Sequence, residues 1–339
     1  MKLLSIAVPC YNSAEYMEHA VNTLLAGGED VEILVVDDGS QKDNTLEIAQ
    51  RLQAEHPTIV KAIHQENAGH GGAVMTGLRN ATGMYFKVVD SDDWVDETIL
   101  RRILVKLREF SMMEKPVDLL VSNYVYDKVG VKTKRVIHYR SAMKADRLLT
   151  WDDVGAFAIG HYLLMHALIY RTEMLRNSGL ELPKHTFYVD NLYATVPLAS
   201  VESLYYMDVN FYHYFIGRED QSVQTNTMIK RIDQQLRVNK LLFEQVDVEH
   251  VANKRQQQTI FNYQEIITVV SSIMCILGDT DELTAKKDEL WQWLKENHPW
   301  EYNKIRKGFF GRALHIPGKP GRFICAAGYK LANKLFNFN

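Results

Sequence analysis

Val31-Glu32-Ile33-Leu34-Val35-Val36-Asp37-Asp38-Gly39-Ser40 is a β-branched run that ends in two carboxylates, a glycine and a serine. Its first six residues read as a strand buried on both faces of a parallel sheet. The polar residues after them read as the turn by which the chain leaves that strand. Upstream, Leu3–Val8 is a second apolar strand, followed by Pro9-Cys10-Tyr11-Asn12. Asn12, with Glu15 three residues on, predicts a capped helix with the apolar stripe Met17, Ala20, Val21 and Leu24, ending at Gly27-Gly28. Downstream, Asp43 is placed to cap a helix with the stripe Leu46, Ala49 and Leu52, stopped by Pro57. Ile59–Ile63 predicts a third strand, residues 72–80 a helix, and Tyr85–Val89 a fourth strand that ends in Asp90-Ser91-Asp92-Asp93. Strands alternating with helices over short connections imply an α/β fold with a mostly parallel sheet flanked by helices. Ligands of such sheets sit beyond the carboxyl ends of the strands, and three polar clusters fall there.

Further along, the pattern predicts a helix at residues 97–110, a strand at 117–125 and a hairpin within 131–139. It adds a strand at 166–170, a short helix at 172–177 and a helix opening at Asp190. Residues 228–297 are helical in pattern, with the stripe Ile260, Tyr263, Ile266, Ile267 and Val270. The expected division is 1–222 for the α/β domain, with halves 1–100 and 101–222, then a helical extension at 223–300 and a tail at 301–339. No apolar stretch stands out as long enough to span a bilayer.

The chain has 339 residues, 46% hydrophobic and 24% charged, which suits a globular domain with an appended helical region. A net charge of −3 argues against a general nucleic-acid binder. Cys10, Cys275 and Cys325 are too few and too scattered for a disulfide framework or a zinc cluster. With no charged-then-apolar leader, a cytoplasmic setting is expected. Residues 301–339 hold eight Lys or Arg against one acidic residue, a net of +7. Trp300, Phe309, Phe310, Phe323, Tyr329, Phe336 and Phe338 lie at or within that tail. Interleaved cations and aromatics suit the inner face of an anionic membrane; a packed terminal helix with a solvated basic face is the alternative.

Carboxylates crowded after an apolar strand repel one another and suit a hard divalent cation such as Mn²⁺ or Mg²⁺. The same residues also read as a helix start, because Asp93 and Asp96 precede residues 98–107. Asp37 and Asp38 form either an ordinary turn or an acceptor for the imide N–H of a uracil on which Tyr11 stacks. Asn67-Ala68-Gly69-His70-Gly71-Gly72 is a glycine-rich turn opening a helix, where backbone N–H groups can face an anion.

As a set, Val8-Pro9-Cys10-Tyr11-Asn12, Val35–Ser40, Asn67-Ala68-Gly69 and Val89–Trp94 resemble family 2 glycosyltransferases of the GT-A fold. The likeness is close over residues 1–100 and looser over 101–222. It implies an inverting transferase acting in cell-surface glycan synthesis, with a nucleotide-diphosphate sugar, most simply a UDP-sugar, as donor. Asp38 would read the base beside Tyr11, and Asp90 and Asp92 would hold ribose and metal. The donor set then comprises Pro9, Tyr11, Asp38, Asn67, Gly69, Asp90, His213 and Arg218. The last two come from Tyr212-His213-Tyr214 and the following Arg218 and Ser222, which resemble the family's diphosphate-side segment. The general base would be Asp190, where Val189 stands in place of the usual Glu. Gly71–Gly77 departs from the common Ala-Arg-Asn run and looks like the branch that glycosylates lipid phosphates, so a glycan and a lipid-linked acceptor both stand. A sugar nucleotidyltransferase would need a glycine-rich basic loop after the first strand, which Pro9–Asn12 is not. A non-catalytic sugar-nucleotide binder is the other alternative, and Asp90, Asp92 and Asp190 together argue against it.

Overall fold

The structure, a computed structural model, describes residues 2–128, 130–131, 134–158, 161–216, 224–316, 318, 321–323 and 325–329. It divides into two compact units, Met1–Ile216 and Gly217–Asn339.

The first unit opens with three parallel strands, β1 (Leu4–Cys10), β2 (Val31–Asp37) and β3 (Val60–His64), separated by α1 (Met17–Leu24) and α2 (Thr45–Glu55). Then come α3 (Gly69–Asn80), β4 (Tyr85–Val88), β5 (Trp94–Val95) and α4 (Glu97–Ser111). The second half adds β6 (Leu119–Lys128), β7 (Arg135–Ile137), β8 (Leu148–Leu149), β9 (Leu168–Arg171), α5 (Thr172–Asn177), α6 (Asp190–Thr195) and β10 (Leu204–Ile216). One sheet runs through the unit in the order β3-β2-β1-β4-β9-β6-β10-β5, with β7 on β6 and β8 on β10. β1 pairs in parallel with β2 from Leu4↔Val31 to Cys10↔Asp37, and every residue of both strands is buried. The antiparallel insertion of β9 between β4 and β6 joins the two halves, and β10 returns to a parallel pairing with β6. The α/β expectation of a mostly parallel sheet flanked by helices, followed by a helical C-terminal region, therefore holds.

α4 shows how local sequence sets this layer. Asp96 caps it by accepting from the Ile99 N–H at 2.9 Å, an interaction typically worth about 1 kcal/mol. Leu100, Ile103, Leu104, Leu107 and Phe110 form its buried stripe, each contributing roughly 1.5–3 kcal/mol. Two expected caps have other roles. α1 begins at Met17 with Tyr16 as N-cap, and the Asn12 carboxamide instead accepts from Gln41 and Lys42 N–H across two loops. Asp43 accepts from Thr45 N–H at the start of α2 but also from Ala14 N–H, tying the same loops together.

The second unit is helical: α7 (Thr225–Lys230), α8 (Ile232–Glu244), α9 (Lys254–Gly278), α10 (Asp281–Asn297), α11 (Pro299–Lys307) and α12 (Phe309–Leu314). α9 differs from the sequence expectation: an 18-residue window of it has mean hydropathy 1.5, long and apolar enough to cross a membrane. Yet 61% of that window is buried within the protein. Its Thr268 and Ser271 accept side-chain hydrogen bonds from Asn239 and Gln235 of α8, and Ser272 accepts from Trp291 of α10. Such a polar seam marks a core helix. Glu301 and Ile305 are buried in α11, and Trp300 meets Phe261 edge-on, whereas Phe309 and Phe323 are 81% and 74% exposed. Phe336 and Phe338 lie outside the described residues.

Candidate active site

The ends of β1, β2 and β4, the start of α3 and the start of α6 meet on one side of the sheet. Asp38 is 2% exposed. Its carboxylate accepts from Gln65 Nε2 at 2.6 Å and from the N–H groups of Ala68 and Gly69 at 2.8 Å each. The anion facing the N–H groups at the start of α3 is thus the chain's own Asp38. A carboxylate offers about four acceptor positions, so three contacts leave little capacity for a base. Asp37 is wholly buried and pairs with His64 Nδ1 at 2.6 Å. Pro9 is buried in β1 opposite Val36, Asn67 donates to the Asp38 carbonyl, and Tyr11 is 51% exposed at the loop after β1.

After β4 the chain makes the turn Asp90–Asp93, and β5 then pairs with β10 through Tyr212↔Val95 and His213↔Trp94. This pairing turns Asp93 inward. Its carboxyl is 1% exposed and accepts from Tyr212 OH at 2.5 Å and Phe215 N–H at 2.8 Å. Burial, together with the charges of Asp92 and Asp90, pushes its pKa well above the usual carboxyl range. Asp90 Oδ1 meets His70 Nε2 at 2.8 Å. Among the described residues, ligand atoms of Asp90, Asp93 and His166 lie within 4.8 Å of one another. His166 enters from the segment before β9, 6% exposed, with its ring against Tyr212 at 4.7 Å and Tyr214 at 4.3 Å. Its Nδ1 has no hydrogen-bond partner among the described residues. Burial pulls its pKa down to about 4, so the ring is neutral and able to ligate at pH 7. Two carboxylates and an unpartnered imidazole fit a divalent cation. The sequence pairs Asp90 with Asp92; the fold gathers Asp93 and His166 around Asp90, with Asp92 half-buried beside them. Below them Lys87 is fully buried, its Nζ donating to the His166 carbonyl at 2.7 Å and lying 4.9 Å from the Tyr212 ring. Burial brings its pKa down to about 7, against the opposing pull of Asp90 and Asp93.

Asp190 is the first residue of α6, with Val189 as N-cap. The loop before it is docked on α3 backbone to backbone. His185 N–H donates to the Ala68 carbonyl at 2.8 Å. A Cβ on Gly69 would lie 2.9 Å from His185 N, and one on Gly71 would lie 2.9 Å from the Pro183 carbonyl oxygen. These contacts explain Gly69 and Gly71. Tyr188, at φ +68°, and His185, at φ +49°, hold left-handed conformations unusual for bulky residues. Burial pushes the Asp190 carboxyl up, Asp90 adds to this, and His70 opposes it. His70 is raised in turn: burial works against its charge, but Asp90, Asp190 and Asp92 outweigh it.

Residues 5–171 match the family described as Glycosyl transferase family 2. This is a family 2 glycosyltransferase domain. The glycosyltransferase GlyG of Streptococcus pneumoniae is 35% identical over 130 residues, 38% of this chain and 41% of that protein. The curated relatives matched first are spanned over about a third to two fifths of their own length. Residues 1–349 of TarS from S. aureus superpose with a TM-score of 0.66 at 18% identity, covering 99% of this chain and 91% of that one. The mannosyltransferase PcManGT from Pyrobaculum calidifontis, solved with GDP-Man and Mn²⁺, gives 0.52 at 14% identity over 98% of this chain and 86% of that one. At such identities the likeness speaks to the fold, and the fold is the GT-A one.

Within the glycosyltransferase domain, His213 pairs across the sheet with Trp94, the residue after Asp93. Its Nδ1 meets Asp127 at 3.0 Å and its ring stacks on Trp94 at 5.4 Å. Arg218 and Ser222 lie outside the described residues. Sequence reasoning did not assign a role to His70, Lys87 or His166. His70 was in view as the one ionisable residue inside the glycine-rich turn, but nothing near His166 or Lys87 in the chain marks either one.

Proposed function

We propose that the protein is an inverting glycosyltransferase that moves a sugar from a nucleoside-diphosphate donor, most simply a UDP-sugar, to an acceptor in surface-polysaccharide synthesis. One observation carries the reading: His70, hydrogen-bonded to Asp90 of the acidic turn, also lies near enough to the buried Asp190 carboxyl for their charges to act on each other. A base held next to a cation-binding cluster is what a single displacement at a glycosyl diphosphate requires. Asp190 takes the acceptor proton as the acceptor oxygen attacks, a contribution typically of 10²–10⁴ in rate. The charge of His70 offsets the repulsion between Asp90 and Asp190, and the docked loop from Pro183 to Val189 fixes where the base stands. Asp90, Asp93 and His166, with Asp92 beside them, would hold Mn²⁺ or Mg²⁺, which when bound neutralises charge growing on the leaving diphosphate.

TarS 1–349 has been solved with UDP-GlcNAc and with UDP, and the Pyrobaculum enzyme with GDP-Man and Mn²⁺, which supports a nucleotide-sugar donor here. A chondroitin synthase of Escherichia coli, 37% identical over 108 residues, supports a polysaccharide setting. For the acceptor, both a glycan hydroxyl and a lipid phosphate remain in the proposal. The exposed Phe309 and Phe323, among the cations of the tail, support attachment to an anionic membrane face from the cytoplasmic side. A thermal-shift panel of UDP-, GDP- and dTDP-sugars with and without Mn²⁺ tests the reading. A true donor at about a hundred times its dissociation constant stabilises the fold by roughly 2.7 kcal/mol. No shift with any of them would sink it.

A further inference from the structure

We propose that the helical unit carries a carbohydrate-binding site of its own, a groove between α8 and α10 that holds a neutral glycan chain. The ligand class rests on the polysaccharide reading above, whereas the groove stands on its own geometry. Both helices are anchored on α9. Gln235 and Asn239 of α8 donate to Ser271 and Thr268 at 3.2 and 3.1 Å, and Trp291 of α10 donates to Ser272 at 3.0 Å. Between their outward faces runs a cavity of about 440 Å³, within the size range of small-molecule sites. Leu236 and Leu290 are buried at its floor. Its rims carry three carboxylates and three cations. Lys286 of α10 reaches Asp233 of α8 at 2.7 Å and Glu282 at 2.9 Å, and Lys240 of α8 reaches Glu289 of α10 at 3.0 Å. Arg237 and Glu244 complete the set. Exposed ion pairs contribute only about 0–1 kcal/mol each to stability, so stability alone does not account for this concentration of charge around one hollow.

The chemistry of the rims selects the occupant. An ammonium has three donors and a carboxylate about four acceptor positions, so each bridge keeps capacity for further hydrogen bonds. Sugar hydroxyls, which both donate and accept, can use both kinds. Because the six charges cancel, a polyanion would meet as many carboxylates as cations and gain little. An acyl chain would have to desolvate the charged rims, which is costly. Trp293 lies one turn beyond Glu289, half-buried, with Lys240 Nζ 5.6 Å from its ring. It sets an aromatic surface beside the groove, where the weakly positive C–H groups of a pyranose are attracted to the ring electrons. A chain bound here is retained by the helical unit independently of the donor.

The test titrates cellohexaose, laminarihexaose and chitohexaose into the full-length protein by calorimetry, without donor, with a heparin hexasaccharide as the anionic comparison. At least one neutral hexasaccharide should bind, with an affinity that changes less than about two-fold between low and high salt, since no net charge is matched. Arg237→Ala and Glu244→Gln should each weaken that binding about five-fold or more. Both sites are exposed, so melting temperatures should stay near wild type. Lys295→Ala, exposed on α10 and outside the groove, and Asp190→Asn should bind as wild type does. Binding of none of the neutral chains overturns the proposal. So does tighter binding of the heparin fragment, or neutral binding that survives both groove substitutions or is lost in Asp190→Asn. Glycan binding at the groove by a protein that binds no nucleotide sugar would keep this site and sink the transferase reading; donor turnover without groove binding would do the reverse.

Discussion

Gly69→Ala tests whether the glycine-rich turn exists to dock the loop that carries the base. Gly69 has φ +74°, and an added Cβ would sit 2.9 Å from His185 N and 3.0 Å from His185 Cα. The left-handed backbone alone costs an alanine about 1–2 kcal/mol. The contact is with backbone, which cannot rotate away, and overpacking of that kind adds typically 1–3 kcal/mol. Gly179 is the control, because it has φ +75° with nothing within 4 Å of its would-be Cβ. Gly179→Ala should lose about 1–2 kcal/mol in urea denaturation and transfer sugar at close to the wild-type rate. Gly69→Ala should lose about 2–5 kcal/mol, the sum of the two penalties, and its transfer rate should fall by ten-fold or more. A shift of about 1 Å in a reacting group can cost 10²-fold. Equal transfer rates in the two variants would refute the claim that this contact positions Asp190.

Asp190→Asn should lower transfer by about 10²–10⁴ with donor affinity unchanged, checked by kinetics and calorimetry on one preparation. The folded pKa of Asp190 is raised, so the base form is lost as pH falls through a value above the usual carboxyl range; the wild-type rate should drop on that acid limb and the Asn variant should lack it. For Lys87, with a folded pKa of about 7 against about 10.4 unfolded, the unfolded chain binds the extra proton between those values. Metal-free wild type should therefore gain stability on the order of 3–4 kcal/mol from pH 7 to 10 relative to Lys87→Met, read by urea denaturation at each pH; parallel curves would contradict it. Replacing Phe309 and Phe323 with Ser should weaken co-sedimentation with anionic vesicles and leave nucleotide binding intact, and the wild-type attraction should fade with salt; a wild type that stays in the supernatant at low salt would end the membrane proposal.

The parallel half of the sheet was legible because buried strands and amphipathic helices leave unmistakable periods, and β1, β2, α2 and β4 lie within a few residues of their expected bounds. β10, the longest strand, escaped. Its alternation breaks where the register with β6 slips around Asn210, between Met207 and Tyr212. Asn12 differs because a short polar side chain before an apolar stripe looks the same whether it caps a helix or bridges two loops, and Asp43 does both. Asp90 stood out in sequence by its place after an apolar strand, and Asp190 by the resemblance to family 2 glycosyltransferases. Asp93 was visible but looked like part of the helix start, and only the pairing of β5 with β10 turns it inward. His166 owes its place to the antiparallel insertion of β9, a long-range event with no local signature.

If the proposed function is right, the acidic turn binds a nucleotide sugar through a divalent cation. Calorimetric titration of UDP-GlcNAc and of GDP-Man into the full-length protein, with Mn²⁺ and then with EDTA, tests it most directly, with Asp90→Asn run alongside. One of these donors should bind with Mn²⁺, its affinity should fall about ten-fold or more in EDTA, and Asp90→Asn should remove the metal dependence. Binding of neither donor, or equal affinity with and without Mn²⁺, would contradict it.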